Sequence, residues 1–323
     1  MIKLKTKQER LDEKAEMKHG LKRMHRLSPG DVVFNILNYS FFGLFTLICV
    51  FPFYYLFINT ISENTLVSRG IINFLPEGIH FSNYAAILQV NELGRAIYVT
   101  TARSVIGTAV MVIASSFIGY LMTKENMWMK KFWYRFTIIT MYFNAGLVPW
   151  FLNMSMLGLT NSFMAYIIPG LVAPFNIILV KTYIESIPAE LEESAHIDGA
   201  GLLTIYWKLI WPLSKPILAT IAIFGAVGNW NSFIDSLILM TGSPQLHTLQ
   251  HRLYVYLSMS SNLAALMQSG SSSETVSAAL AGVSNIKVIK YTISMVTVLP
   301  ILLVYPFMQR YFVKGIMLGA VKG

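Results

Sequence analysis

The chain holds a single cysteine, Cys49, so no disulfide can close within it, and cysteine usage leaves the redox compartment open. Charge is scarce. Only 13% of residues are Asp, Glu, Lys or Arg, against 54% hydrophobic, and the mean hydropathy is +0.55. That balance excludes a soluble globular chain. The sequence motifs of common catalysis are missing too: no phosphate-cradling G-x-x-x-x-G-K-[ST] loop, no H-E-x-x-H, no C-x-x-C pair and no G-x-S-x-G elbow. No apolar run alternates with period two, which argues against a membrane β-barrel. Catalysis is not expected of this chain, and any energy source must sit on another.

Apolar length is what the chain has. Six runs reach the ~20 residues that cross a bilayer as a helix: 32–60, 95–123, 132–156, 162–183, 216–240 and 288–312. The first is too long for the apolar core of a cleavable signal and lacks a small-residue cleavage site, so it is read as an anchor. Residues 1–26 carry nine Lys and Arg against four acids. The turn 124–135 adds Lys124, Lys130, Lys131 and Arg135, and Lys314 and Lys322 follow the last run. The positive-inside rule puts these segments, and the polar stretch 188–216, in the cytoplasm. Lys287 and Lys290 go against that rule and are read as interfacial snorkelling side chains. The net charge of +9 is then a signal of topology and anionic lipid. Positives spread over several membrane turns do not form the soluble basic face that nucleic acid needs. The expected organisation is a cytoplasmic arm over 1–30, a transmembrane domain over 31–312 and a cytoplasmic tail over 313–323, with outward loops over 61–93 and 241–287.

The stretch 188–216 stands out because it is polar between two apolar runs. Pro188 followed by Glu190, Glu192 and Glu193 suits the positive end of a helix. Asp198-Gly199 should break that helix, since glycine tolerates the left-handed backbone of a sharp bend. A second helix is expected over 202–211, with Leu202, Ile205, Tyr206, Leu209 and Ile210 on one face, closed by Pro212 and Pro216. Two short helices at a glycine bend make a knob that a soluble partner can grip. The plainer reading is an amphipathic surface pair without a partner.

At these residues the chain resembles the permease subunits of ABC importers. Their cytoplasmic motif runs E-A-A, two residues, D-G-A and later I-x-L-P. Here it reads Glu193-Ser194-Ala195, Asp198-Gly199-Ala200 and Leu209-Ile210-Trp211-Pro212. Ser194, Leu209 and Trp211 depart from it; the first is small for small, and the bulk of Trp211 puts the packing of the second helix in question. The phrase from Met141 to Trp150, with Leu157-Gly158-Leu159 and Asn161-Ser162 after it, is similar to one subgroup of oligosaccharide-importer permeases. Phe81-Ser82-Asn83-Tyr84 is a partial match of the same kind, with Asn83 expected to cap a short interfacial helix.

The resemblance covers most of 31–323. It implies an all-α integral membrane protein of the type I ABC importer permease fold, with six transmembrane helices and a cytoplasmic coupling helix. Glu193, Ser194, Ala195, Asp198, Gly199, Ala200 and Pro212 would then contact an ATPase. The implied partners are a second homologous permease, two ATPase subunits that bring ATP and Mg, an extracytoplasmic solute-binding protein and membrane lipid. No cofactor and no metal is expected in this chain, and the setting is a bacterial cell membrane with both termini inside. The implied mechanism is alternating access: ATP closes the ATPases, the docked loop is pulled, the cavity opens outward, and hydrolysis resets it.

Polar residues within the apolar runs are the candidates for the substrate pathway. Asn144 and Trp150 flank Gly146 and Pro149, which should break the third run and free backbone groups to line a cavity; Pro169, Gly170 and Pro174 repeat this in the fourth. A plain packing kink is the alternative at each proline. Asn229, Trp230, Asn231 and Asp235 lie together in the fifth run, where they need a polar cavity or mutual bonding. Asn and Asp suit sugar hydroxyls and Trp suits the apolar face of a sugar ring; the alternative is a hydrogen-bonded cluster between helices. Arg103, two turns into the second run, either snorkels or pairs. Gly107, Ala109, Ala114, Ser115, Ser116 and Gly119 favour close packing of that run. In 241–287 the Ser-rich stretch 268–277 reads as a surface for the binding protein or as a tolerated insertion. His247 and His251 lack a third ligand for a metal.

The reading is an ABC-importer permease for an oligosaccharide or modified sugar. A permease for peptides or amino acids shares the coupling loop, and only the Trp230-Asn231 and Met141-to-Trp150 phrases favour sugar. A secondary transporter would show an internal repeat and several intramembrane charges, where Arg103 and Asp235 are the central candidates.

Overall fold

The computed structural model describes residues 29–89, 92–268 and 286–320. Among them the chain is helical and has no strand. The expected arm over 1–30 lies outside the described residues except for Pro29 and Gly30, which open the first helix; most of the Ser-rich stretch 268–277 also lies outside. The chain divides into two units, Met1–Tyr55 and Leu56–Gly323.

Helix α1, Pro29–Ile61, crosses that division. In the first unit its apolar side chains are exposed on all sides, Tyr39 and Leu47 among them. In water such a helix would aggregate; surrounded by lipid it needs no partner, because hydrocarbon solvates Leu and Phe as well as a protein core does.

The second unit continues with α2 (Asn64–Arg69), α3 (Ser82–Gln89) and α4 (Leu93–Leu121), then α5 (Lys130–Tyr142) and α6 (Leu147–Met156). A short 3₁₀ turn, Phe163–Tyr166, precedes α7 (Pro174–Ile184) and α8 (Ala189–Ile197). Helix α9, Leu202–Leu213, meets α10, Lys215–Asn231, at 81°. Helices α11 (Ile234–Leu239), α12 (Leu249–Gln268) and α13 (Ile286–Ala320) complete the order.

Among the described residues three helical stretches are long and apolar enough to cross a membrane: Pro29–Ile61, Leu93–Leu121 and Lys287–Pro306; the bent pair α9 and α10 adds a fourth if counted as one span. The third and fourth expected runs are not continuous helices. The third stops at Tyr142 and restarts at Leu147, with Gly146 at φ +89 and its N–H bonded to Asn144 Oδ1 at 2.8 Å. Pro149 then sits in the first turn of α6, where a missing N–H costs little. The fourth holds the short 3₁₀ turn and then irregular chain up to Pro174, which occupies the first position of α7. The fifth breaks at Ser232 and Phe233, a break that no glycine or proline signals. Two further expectations need correction. Much of 241–287 is not loop but α12, and Asn83 is not a cap: it lies within α3, buried, and donates from Nδ2 to the Thr60 carbonyl at 2.9 Å. Lys287 bonds the Ser68 carbonyl at the end of α2 (3.0 Å).

Helix α4 is the hub of the second unit. Met111, Val112 and Tyr120 join Val180 and Ile184 of α7, Ile205, Tyr206 and Ile210 of α9, and Ile217, Leu218 and Ile221 of α10 in one buried cluster. The small residues of α4 allow this. A Cβ on Gly119 would lie 3.1 Å from the Ile177 carbonyl oxygen and 3.2 Å from the Lys181 nitrogen. Both are helix backbone and cannot step aside. Gly119→Val is therefore expected to pry α4 from α7, at about 1–3 kcal/mol, read as a lower melting temperature of the purified protein. Gly107→Ala should cost less, since its nearest neighbour at 3.1 Å is the tip of the Asn229 amide.

Candidate functional site

The bend in 188–216 forms as its residues dictate. Pro188 precedes α8, whose first turn carries Glu190 and Glu192. The helix ends in a Schellman motif: Gly199 N–H bonds the His196 carbonyl and Ala200 N–H the Ala195 carbonyl, both at 3.0 Å, with Gly199 at φ +80. Ala195 and Ala200 pack on the buried cluster. Glu193, Ser194, Asp198 and Gly199 are exposed; so are Ile197 at 86% and, on α9, Leu203 and Trp207. Ser194 Oγ bonds back to the Glu190 carbonyl at 2.8 Å.

Pro212 does not close the second helix. Tyr206–Ile210 is a π turn in which Trp211 N–H reaches the Tyr206 carbonyl, five residues back, and the helix runs on to Leu213. The wider turn fits a helix that must carry a proline, which lacks an N–H and crowds the carbonyl four residues before it. Pro212 is exposed. Trp211, the bulky departure from the motif, finds aromatic company: its ring centroid lies 4.9 Å from that of Trp207 and 5.8 Å from that of Tyr206.

Two contacts fasten the knob to α4, and neither was legible in the motif. Glu192, on the inner side of α8, accepts from Tyr120 OH at 3.0 Å and from the Lys124 ammonium. Tyr206 of α9 shares a hydrogen bond with Ser116 at 2.7 Å. Both α8 and α9 therefore hold the same end of α4.

Towards its other end, α4 carries Arg103, which does not snorkel. The side chain is 2% exposed and forms a two-pronged pair with Asp235, Nη1 to Oδ1 at 3.2 Å and Nη2 to Oδ2 at 2.5 Å. Its guanidinium lies 4.3 Å from the centroid of the Tyr166 ring, and Nη1 also donates to the Ser232 carbonyl at 3.3 Å. Asp235 Oδ1 accepts from Ser232 Oγ and from the Ser236 N–H.

The other candidates point in separate directions. Asn229 Nδ2 lies 3.5 Å from Thr108 Oγ1 of α4, Trp230 Nε1 donates to the Thr297 carbonyl of α13 at 2.9 Å, and Asn231 Oδ1 accepts from Gln250 of α12 at 3.2 Å. Asn144 is exposed at the α5–α6 break, and Trp150 packs against the buried cluster to which Met154, Leu159 and Tyr166 belong. The structure brings Asp235 to Arg103 but does not gather the six around one cavity.

Beside the pair, Ser236 Oγ lies 2.9 Å from His251 Nδ1, and the His247 and His251 rings lie with centroids 4.1 Å apart and planes inclined by 38°. Burial and the neighbouring His247 push the His251 imidazole down to about 4, against a small opposite pull from Asp235. Because the folded value is lowered, the folded state resists the proton that the unfolded chain takes up. Stability should be full above the usual histidine pKa and should fall as pH drops from about 6.5 to 4, by up to about 3 kcal/mol. Melting in detergent at stepped pH tests this, and His251→Gln should flatten the profile.

Comparison with known proteins identifies the family and the fold. The family described as "Binding-protein-dependent transport system inner membrane component" matches residues 111–318. The polygalacturonan/rhamnogalacturonan transport system permease protein YtcP of Bacillus subtilis (strain 168) is 33% identical over 294 residues, covering 90% of this chain and 99% of that protein. The arabinooligosaccharides transport system permease protein AraQ of Halalkalibacterium halodurans is 26% identical, covering 87% of this chain and 94% of its own. A crystal structure of a bacterial ABC transporter involved in the import of the acidic polysaccharide alginate contains a chain that superposes with a TM-score of 0.75 at 31% identity, over 88% of this chain and 98% of that one. With a match over that much of its length, the chain belongs to the binding-protein-dependent transport system inner membrane component family.

Proposed function

We propose that this chain is the membrane-spanning subunit of an ABC importer that carries oligosaccharides, delivered by an extracytoplasmic binding protein and driven by a separate ATPase. The observation that carries the coupling half of this reading is the α8–Gly199–α9 knob, which leaves Ile197 and Leu203 exposed and is tied by Glu192 and Tyr206 to one end of α4. An element built this way receives a push from a soluble partner and passes it to a membrane helix. The sugar half is supported by relatives that take polygalacturonan or arabinooligosaccharides and by the fold shared with an alginate importer chain. These favour sugar over peptides or amino acids, and family membership disfavours a secondary transporter.

In this reading the six spans are α1, α4, α5 with α6, the segment leading through α7, α10 with α11, and α13. The broken members supply the free backbone and polar groups of a pathway. Glu193, Ser194, Ala195, Asp198, Gly199, Ala200 and Pro212 form the ATPase contact. A second homologous permease completes the pathway, two ATPase subunits supply ATP and Mg, and both termini face the cytoplasm. This chain itself performs no chemistry.

The test is ATP hydrolysis by the co-purified complex in lipid, with the binding protein and a panel of neutral and uronate-containing oligosaccharides. Stimulation by one of them, and uptake of the same sugar into vesicles, is the expected result. Stimulation by a peptide and by no sugar would overturn the sugar half. Absence of any co-purifying ATPase would overturn the whole.

A further inference from the structure

Helix α4 is held at both ends by polar contacts, and the two sets differ in kind. At one end Ser116 and Tyr120 grip Tyr206 and Glu192 of the knob. Arg103 lies 17 residues before Tyr120, roughly 25 Å along the helix at 1.5 Å per residue. Between them α4 contains no proline and no break, only a continuous helix. It is a rod that transmits displacement rather than absorbing it.

What Arg103 holds is the interruption of the fifth run. Helix α10 ends at Asn231 and α11 begins at Ile234. Breaking a helix frees carbonyls that hydrocarbon cannot satisfy. Arg103 Nη1 donates to one of them, at Ser232, while the same guanidinium pairs with Asp235 on the far side of the break. The three residues before the break, Asn229, Trp230 and Asn231, touch α4, α13 and α12 respectively. Any rotation of the α10 end moves all three contacts together.

We propose that Arg103 is a positioning residue for transport: through Asp235 and the Ser232 carbonyl it ties the α10–α11 interruption to the helix that the coupling knob grips, so that displacement of the knob turns Asn229, Trp230 and Asn231. This rests on the importer reading above. Packing alone does not require the pair, because a buried ion pair costs desolvation that an apolar pair avoids. Its satisfaction is also incomplete: among the described residues Arg103 Nε is buried without a hydrogen-bond partner. A bond optimised only for stability would leave no such orphan.

The experiment compares wild type, Arg103→Lys and the apolar double variant Arg103→Met with Asp235→Leu in the full transporter in lipid. Assembly is read from co-purified ATPase and melting temperature, and coupling from sugar taken up per ATP hydrolysed. The double variant is expected to assemble as wild type does while coupling falls by about tenfold or more, a change of ~1.4 kcal/mol. Arg103→Lys, which keeps the charge but not the fork that reaches two acceptors, should fall in between. Wild-type coupling in an assembled double variant would overturn the proposal and leave the pair as helix glue. If the double variant does not assemble, Arg103→Lys decides alone, with wild-type coupling overturning the proposal and reduced coupling supporting it.

A readout without sugar separates this inference from the importer reading. The substitutions Asn231→Cys and Gln250→Cys, on a Cys49→Ala chain, provide two thiols that a short bifunctional reagent can join. Cross-linking that drops in Arg103→Lys supports the tie even if no sugar stimulates the complex. An unchanged yield overturns it.

Discussion

The double substitution Asp198→Arg with Gly199→Pro is expected to cut substrate-stimulated ATP hydrolysis about 100-fold, ~2.7 kcal/mol, with transport falling in parallel. Gly199 sits at φ +80 and its N–H closes the Schellman motif on His196. Proline holds φ near −65° and has no N–H, so it defeats both requirements at once. A Cβ on Gly199 meets nothing within 4 Å, so the loss comes from the backbone, including the crowding of Asp198 at the helix end by the proline Cδ. The damage is confined to the angle between α8 and α9. Asp198 is exposed, so reversing its charge should leave folding alone and act on the docked partner. Asp198→Arg by itself should give a smaller loss with a normal melting temperature. A double variant that hydrolyses ATP and transports like wild type would show that the knob is not the coupling element.

Arg103→Leu is expected to be the most damaging single change to stability, at about 3–5 kcal/mol. Among the described residues it leaves the Asp235 carboxylate with Ser232 Oγ and the Ser236 N–H as its hydrogen-bond donors, strips the Ser232 carbonyl of the Arg103 donor, and empties the space above Tyr166. The measurement is the yield and melting temperature of the solubilised chain. Adding Asp235→Leu should recover most of the loss, because both charges then go together. Equal stability of Arg103→Leu and wild type would mean that water or another group satisfies Asp235 and that the pair does not hold the break.

Features specified over a few consecutive residues are legible in the sequence itself. Pro188, the acidic first turn and Asp198-Gly199 mark a helix, its stop and a left-handed residue, and the structure has all three in place. Gly146 with Pro149, and Pro169 with Pro174, mark breaks because glycine and proline act on their own backbone. Six apolar runs and the charge of their turns follow from composition alone.

What only the tertiary structure decided is which distant groups meet. Arg103 and Asp235 are both conspicuous as charges in apolar sequence, but snorkelling and pairing leave the same trace in a linear chain. Their partnership spans 132 positions. The break at Ser232 carries no glycine or proline, and the groups that meet it from the side, the Arg103 guanidinium on the Ser232 carbonyl and on Asp235, lie far from it in sequence. The same holds for Glu192, which looks like one of three helix-start acids until Tyr120 and Lys124 single it out, and for the 81° bend between α9 and α10. Local backbone chemistry reads directly from residue type, whereas a long-range electrostatic contact depends on how the helices pack, and that is set by the sum of many small apolar contacts.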